Sequence, residues 1–290
     1  MSRAAILALL LGVSGAACAV ETGAGKFLPV AGAKLWYTDS GGQGVPVVFL
    51  HPGSGSAGVW EPQVAAFTAA GYRVICYDRR GSGNTVSDVA AAGNEGGLAS
   101  SVQDLQALVA HLQLPSFHLV GSAAGGILAL RYAVLHPQQL KSLVVTTSLG
   151  VPDEPEVRQF QERIAIPGLK AAGDEYAELG ASYRGEDPDG VKRWLALGPK
   201  RPPSPLPSGE RQNGSQQSGL DYAALRGLHV PTLVMAGGGD ILSPPGLMRL
   251  WARQLPDHEW IVVEDAGHAV AWERPEAFNA AVLAFLGRHD

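Results

Sequence analysis

Five short stretches place reactive residue types directly after apolar, β-branched runs. His51-Pro52-Gly53 follows PVVFL, and Asp78-Arg79-Arg80 follows RVICY. Gly121-Ser122-Ala123-Ala124-Gly125-Gly126 follows FHLV, Asp240 follows TLVMAGGG, and His268 follows EWIVVEDAG. Histidine and aspartate are the side chains that most often move protons in catalysis. The stretch HLVGSAAGGILAL reads as a buried strand, a glycine-pinned corner and a helix, a setting in which many enzymes hold a nucleophile. The corner here carries alanine, which has no group able to attack. The chemistry on offer is therefore proton transfer beside a corner shaped for a nucleophile that is missing.

These residues need a scaffold that gathers strand ends. AKLWYTDSG, PVVFLHP, RVICYDRR, FHLVGS, SLVVTTS, TLVMAGGG and EWIVVED are short and rich in β-branched residues, as strands are. Helical patterns lie between them: SAGVWEPQVAAFTAAG, LASSVQDLQALVAHLQL, AAGGILALRYAVLH, LMRLWARQLP and ERPEAFNAAVLAFLGRH. Alternation of this kind predicts an α/β fold, a mostly parallel, doubly wound sheet with helices on both faces. Such sheets bind ligands beyond the carboxyl ends of their strands, where the reactive residues fall.

From Val151 to Leu228 the alternation stops. Helical pieces near PEVRQFQERIAI and DPDGVKRWLALG lead into GPKRPPSPLPSGERQNGSQQSG, a loop or linker by composition. The expected organisation is a core in two parts, 20–150 and 229–290, with a helical cap at 151–228. Residues 1–19 are set apart by Arg3, the apolar run AILALLLGV and Ala17-Cys18-Ala19, the pattern of a secretory signal peptide. That run is too short to span a bilayer. Export to the periplasm or medium is the expectation, with lipoprotein processing at Cys18 disfavoured because Gly15-Ala16-Ala17 lacks the usual leucine. Beyond that segment Cys76 is the one remaining cysteine, so a disulfide framework is excluded and core packing is its expected role.

The 290 residues carry a formal net charge of -5, and 17% are charged. No lysine- or arginine-rich block marks a nucleic-acid surface. Asp240 and His268 lack a third ligand at metal-site spacing. Gly237-Gly238-Gly239 precedes an acidic residue rather than opening a helix as a dinucleotide loop does. No metal and no cofactor are expected.

In their order along the chain, these landmarks resemble the α/β-hydrolase fold superfamily, from Lys34 to the C-terminus, with the insertion in the place of that family's cap. The resemblance implies a nucleophile elbow, G-x-Nuc-x-G. Gly121 and Gly125 put Ala123 at the nucleophile position; a frame centred on Ser122 would need glycines where Val120 and Ala124 stand. Ser122 is then expected to point away from the pocket. His268 matches the family's catalytic histidine and Asp240 the carboxylate that orients it. A cap on the following helix is the structural alternative for Asp240, and Asp153 or Glu154 the alternative acid. His136 is expected to be structural. The resemblance also implies oxyanion donors at Gly53 and Ala124, since Pro52, without an N–H, stands one place before the donor. Trp60, Tyr183, Trp194 and Trp272 are pocket candidates for which plain packing serves equally.

A dehalogenase or epoxide hydrolase would need aspartate at position 123. The resemblance therefore implies a hydrolase of a small carboxylic ester or lactone with alanine at the nucleophile position, either a disabled serine enzyme or a natural serine-less form. Two alternatives remain open. One is a His-Asp general-base enzyme performing lyase, direct-hydrolysis or cofactor-free oxygenase chemistry; the other is a ligand-binding pseudo-enzyme. The expected partner is a small ester, lactone or other carbonyl compound. Oligomeric state is not encoded in any pattern.

Overall fold

The computed structural model describes residues 25–87, 98–151, 153–198 and 220–290. The export signal read at 1–19 and the Pro/Ser tract at 199–219 lie outside them. The chain opens with an antiparallel hairpin, β1 (Lys26–Val30) and β2 (Ala33–Asp39). β3 (Pro46–Leu50), α1 (Glu61–Ala69), β4 (Arg73–Tyr77), a short β5 (Val86–Ser87), α2 (Leu98–His111), β6 (Phe117–Ser122), α3 (Ala124–Leu135) and β7 (Leu140–Thr146) follow. The inserted region holds α4 (Pro155–Ile164), α5 (Leu169–Ala172), α6 (Asp174–Glu178), α7 (Ala181–Glu186) and α8 (Pro188–Ala196). The chain closes with α9 (Tyr222–Arg226), β8 (Thr232–Gly237), α10 (Pro245–Ala252), β9 (His258–Val263), α11 (Val270–Glu273) and α12 (Pro275–Leu286).

The strands form one sheet in the order β1-β2-β4-β3-β6-β7-β8-β9, with β5 on β2. From β4 to β9 every pairing is parallel. Side-chain alternation divides the core between the two faces. Val48, Leu50 and Leu119 join α2, α3 and α10 residues such as Leu105, Leu128 and Trp251. Val47, Phe49 and Val120 join Phe67 of α1 and Phe278 of α12 on the other face. The buried Cys76 belongs to that second face, where burial pushes its thiol pKa up.

Two features depart from the sequence expectation. KFLPV pairs as β1, although Pro29 and a glycine-rich approach obscure it; proline is tolerated because β1 is the edge strand. Within 151–228 the described residues hold four further short helices, α5 to α7 and α9, too brief for a 3.6-residue pattern to emerge.

The strand order also fixes where the site falls. β3 is flanked by β4 on one side and β6 on the other, so the chain leaves β3 in one direction and later returns in the opposite one. Open α/β sheets bind ligands at such a switch point, here the carboxyl ends of β3 and β6. His51-Pro52-Gly53 and Ala123-Ala124 are the residues that emerge there.

Candidate active site

The corner after β6 is tight because α3 turns back against the sheet at once. A Cβ on Gly121 would collide with the Gly125 carbonyl, and one on Gly125 with the carbonyls of Leu50 and His51. Only glycine fits either place. Between them Ala123 has φ 51° and ψ -115°, a region that a residue with a Cβ rarely enters. Such a conformation costs about 1–3 kcal/mol and persists where surrounding bonds impose it. The Ala123 N–H donates to the Thr146 carbonyl at 3.0 Å, and the Ala123 carbonyl accepts from Ser148 Oγ at 2.8 Å. Ser122 is buried, its hydroxyl 3.4 Å from that of Thr147.

Across the crevice, an ideal Cβ on Gly53 would lie 3.6 Å from the Ala124 Cβ, so the loop after β3 and the start of α3 stand side by side. No backbone carbonyl among the described residues accepts the N–H of Gly53 or Ala124. His51 holds the loop in shape. Its Nε2 accepts the Arg79 N–H at 3.0 Å, which leaves the proton on Nδ1 to be donated to the Pro52 carbonyl at 2.7 Å.

His268 and Asp240 meet from neighbouring loops. His268 Nδ1 donates to Asp240 Oδ2 at 2.8 Å. Ser243 Oγ donates to the same oxygen at 2.7 Å, while Oδ1 accepts the N–H groups of Leu242 and Ser243 at 2.8 and 3.0 Å. Asp240 caps no helix, since α10 begins only at Pro245. Burial works to raise the Asp240 carboxyl, but the His268 charge and these hydrogen bonds hold it below the ordinary carboxylate range. Burial likewise disfavours the His268 imidazolium, yet Asp240, Glu178 and Glu273 outweigh it and raise the imidazole to about 9. The glycine run before Asp240 serves this approach, because a Cβ on Gly237 would strike the Gly267 carbonyl.

Three further residues complete the surroundings of His268, and the sequence marked none of them. Glu178, at the end of α6, puts Oε2 at 4.0 Å from His268 Nε2, the nitrogen left for proton transfer. Its carbonyl accepts the N–H groups of both His268 and Ala269, at 2.9 and 3.1 Å. Glu273 accepts from Gly180 N at 3.0 Å, Gly267 N at 2.8 Å and Ala269 N at 3.1 Å, stitching the cap to the histidine loop. Ser243 is the third. Isolated carboxylates and hydroxyls have no sequence pattern; only the adjacency of Gly267 to His268 hints at a close crossing, which Gly180 supplies.

The other residues singled out from sequence are held by packing or hydrogen bonds of their own. Trp60 is buried against Phe49 and Phe278. Tyr183, Trp194 and Trp272 pack together with Leu179 as a small core between cap and histidine loop. Glu154 accepts the Tyr222 N–H and the Asp153 carbonyl accepts from Arg158, both within the insertion and its flank. His136 follows α3 directly and lies tilted against the Tyr132 ring. Among the described residues no group of three or more His, Cys, Asp or Glu could hold a metal, and no helix is long and apolar enough to cross a membrane.

An imidazole oriented by a carboxylate gives or takes a proton at Nε2, and paired N–H groups at a helix start attract a developing negative charge. Known proteins share this frame. The model of the alpha/beta hydrolase fold family matches residues 45–275. A protein of Mycobacterium tuberculosis named as a non-heme bromoperoxidase, BpoC, is 31% identical over 258 residues, covering 86% of this chain and 96% of its own. A thermophilic esterase from Thermogutta terrifontis is 26% identical, with a TM-score of 0.74 over 89% of this chain and 95% of its own. Est816, titled an N-acyl homoserine lactone degrading enzyme, is 28% identical, with a TM-score of 0.72 over 90% and 100%. A match that runs from before β3 to the start of α12, through the elbow glycines, Asp240 and His268 alike, leaves one assignment: the chain belongs to the α/β-hydrolase fold family.

Proposed function

We propose that this chain carries the site of a hydrolase for a small carboxylic ester or lactone. His268 and Asp240 are its proton-transfer pair, Gly53 and Ala124 its oxyanion donors, and Ala123 occupies its nucleophile position. The observation that carries the reading is the backbone of Ala123. A strained apex at φ 51°, ψ -115° serves no alanine, but it is what presents a nucleophile above a sheet. The named esterase and lactone-degrading neighbours support the substrate class. With a methyl group at the apex no acyl-enzyme forms there, so attack on the carbonyl falls to water. Glu178, 4.0 Å from His268 Nε2, gives that slower water route a second carboxylate. The export signal read at residues 1–19 puts the activity in the periplasm or the medium.

Ala123→Ser, assayed beside the unmodified chain on short p-nitrophenyl esters and on lactones, tests the reading. Losing the serine of such a triad costs on the order of 10⁶ in turnover, so restoring it gains several orders of magnitude. Failure of both forms on every ester and lactone would overturn the hydrolase reading. Turnover of some other carbonyl compound that His268→Ala abolishes would then point to general-base lyase or oxygenase chemistry. Binding without turnover would point to a pseudo-enzyme.

A further inference from the structure

We infer that Glu178, delivered by the cap to the Nε2 side of His268, is a catalytic carboxylate that deprotonates the attacking water while His268 serves as the acid. The inference rests on the hydrolase reading and assigns the proton transfers within it.

The placement is built rather than incidental. Two N–H groups of the histidine loop grip the Glu178 carbonyl, and the neighbouring Gly180 N–H is held by the buried Glu273. The side chain then stands beside His268 Nε2, with 16% of its surface exposed. Near it stands Ser54, one residue beyond Gly53. Ser54 Oγ is buried with no other hydrogen-bond partner, and it favours the charged form of Glu178. The carboxylate thus lies near both the imidazole and the loop that carries Gly53.

The charges assign the roles. His268 faces Asp240 from the loop after β8, Glu178 from α6 and Glu273 from α11, and together they keep it protonated at neutral pH, its pKa raised to about 9. A protonated imidazole donates; it does not accept. Glu178 faces His268, Ser54, Asp174 and Asp240, and burial lifts its carboxyl above the ordinary carboxylate range. A base with its pKa moved toward neutrality is better matched to taking a proton from water. In the forward step water forms the new C–O bond to the carbonyl carbon and its proton passes to Glu178. The carbonyl electrons move to oxygen, between the Gly53 and Ala124 N–H groups. As the intermediate collapses, the bond to the alkoxide breaks and His268 Nε2 supplies its proton. The Glu178 proton then returns to Nε2. Water and ester, or lactone, become acid and alcohol, or hydroxy acid, with no other reactant.

The test is the pH–rate profile of the full native chain on a neutral p-nitrophenyl ester and a neutral lactone, beside Glu178→Gln, Glu178→Asp and Ala123→Ser. The native profile is bell-shaped, rising as Glu178 ionises and falling near pH 9 as His268 loses its proton. Glu178→Gln lowers kcat by roughly 10²- to 10⁴-fold with KM little changed. Glu178→Asp, which keeps the carboxylate and the backbone grip, retains part of the rate and controls for folding. A Glu178→Gln chain as fast as the native one would overturn the inference, and so would a change in KM alone or a profile that climbs through pH 9 to a plateau. If the native chain is inert while Ala123→Ser is active, the inference fails and the hydrolase reading stands. If both are inert, both fail.

Discussion

The elbow after β6 and the seat of the cap on the histidine loop are built by opposite means. At the elbow, backbone packing dictates residue type: Gly121 and Gly125 cannot carry a Cβ, and the strain they enforce at Ala123 survives without a reactive side chain. At the cap seat, side chains and carbonyls reach across the crossing: Glu178 O receives two N–H groups and Glu273 three. The first region keeps its shape with no reactive group at its apex. The second brings a carboxylate to Nε2 with no sequence pattern to announce it. Scaffold and chemistry are therefore separable in this fold, and a cap can alter the proton-transfer groups while the sheet stays as it was.

Variants that act on one region and spare the other sharpen that contrast. The largest effect is expected from Ala123→Ser, the gain of several orders of magnitude described above. In that background Asp240→Asn leaves His268 in place but removes the charge that fixes its tautomer. A loss of ~10⁴ in kcat is expected, by analogy with the same change in a serine protease triad, and a loss below tenfold would break the assignment of Asp240. Structural effects come next. Gly125→Ala drives a Cβ into the Leu50 and His51 carbonyls and is expected to cost about 1–3 kcal/mol or more. Gly53→Ala meets only the Ala124 Cβ at 3.6 Å and should leave the melting temperature nearly unchanged. Equal melting temperatures for the two variants would refute the claim that the elbow is dictated by backbone contact.

The smallest expected effect is the pH dependence of stability. His268 is raised in the fold from 6.5 to about 9, so the stability it contributes is fully present below about pH 6.5 and is lost as pH rises through 9. Glu178 and Glu273, raised by burial, slope the same way above their ordinary value of 4.5. Asp240, held low, contributes stability that disappears only as pH falls below 3.8. The melting temperature should therefore decline from pH 5 toward pH 9, and Glu178→Gln should flatten that decline. An unchanged slope in the variant would separate Glu178 from the titration of His268.

Much of the core was legible because strands and glycines leave patterns. Runs such as PVVFL and FHLVGS alternate between the two core faces, and the spacing of Gly121 from Gly125 placed Ala123 at the corner the structure shows. Asp240 and His268 followed from their positions after β8 and β9. What escaped the sequence shares one physical cause. β1 is an edge strand containing Pro29, α5 to α7 are shorter than two turns, and Glu178, Ser243 and Glu273 act through individual hydrogen bonds and close approaches that the chain brings together by folding. None repeats with a period. The aromatic candidates show the converse: Trp60, Tyr183, Trp194 and Trp272 stand out by type, yet each is buried in packing.

The central claim is that position 123 is the nucleophile site served by His268. It is tested most directly by intact-mass measurement of Ala123→Ser after exposure to diisopropyl fluorophosphate above pH 9, where His268 has lost its proton and can serve as base, with Ala123→Ser/His268→Ala and the native chain as controls. The account predicts one phosphoryl adduct, mapped by peptide sequencing to position 123, formed rapidly with His268 and slowly without it, and none on the native chain. An Ala123→Ser chain that stays unmodified while folded, or an adduct at Ser122 instead, would contradict it.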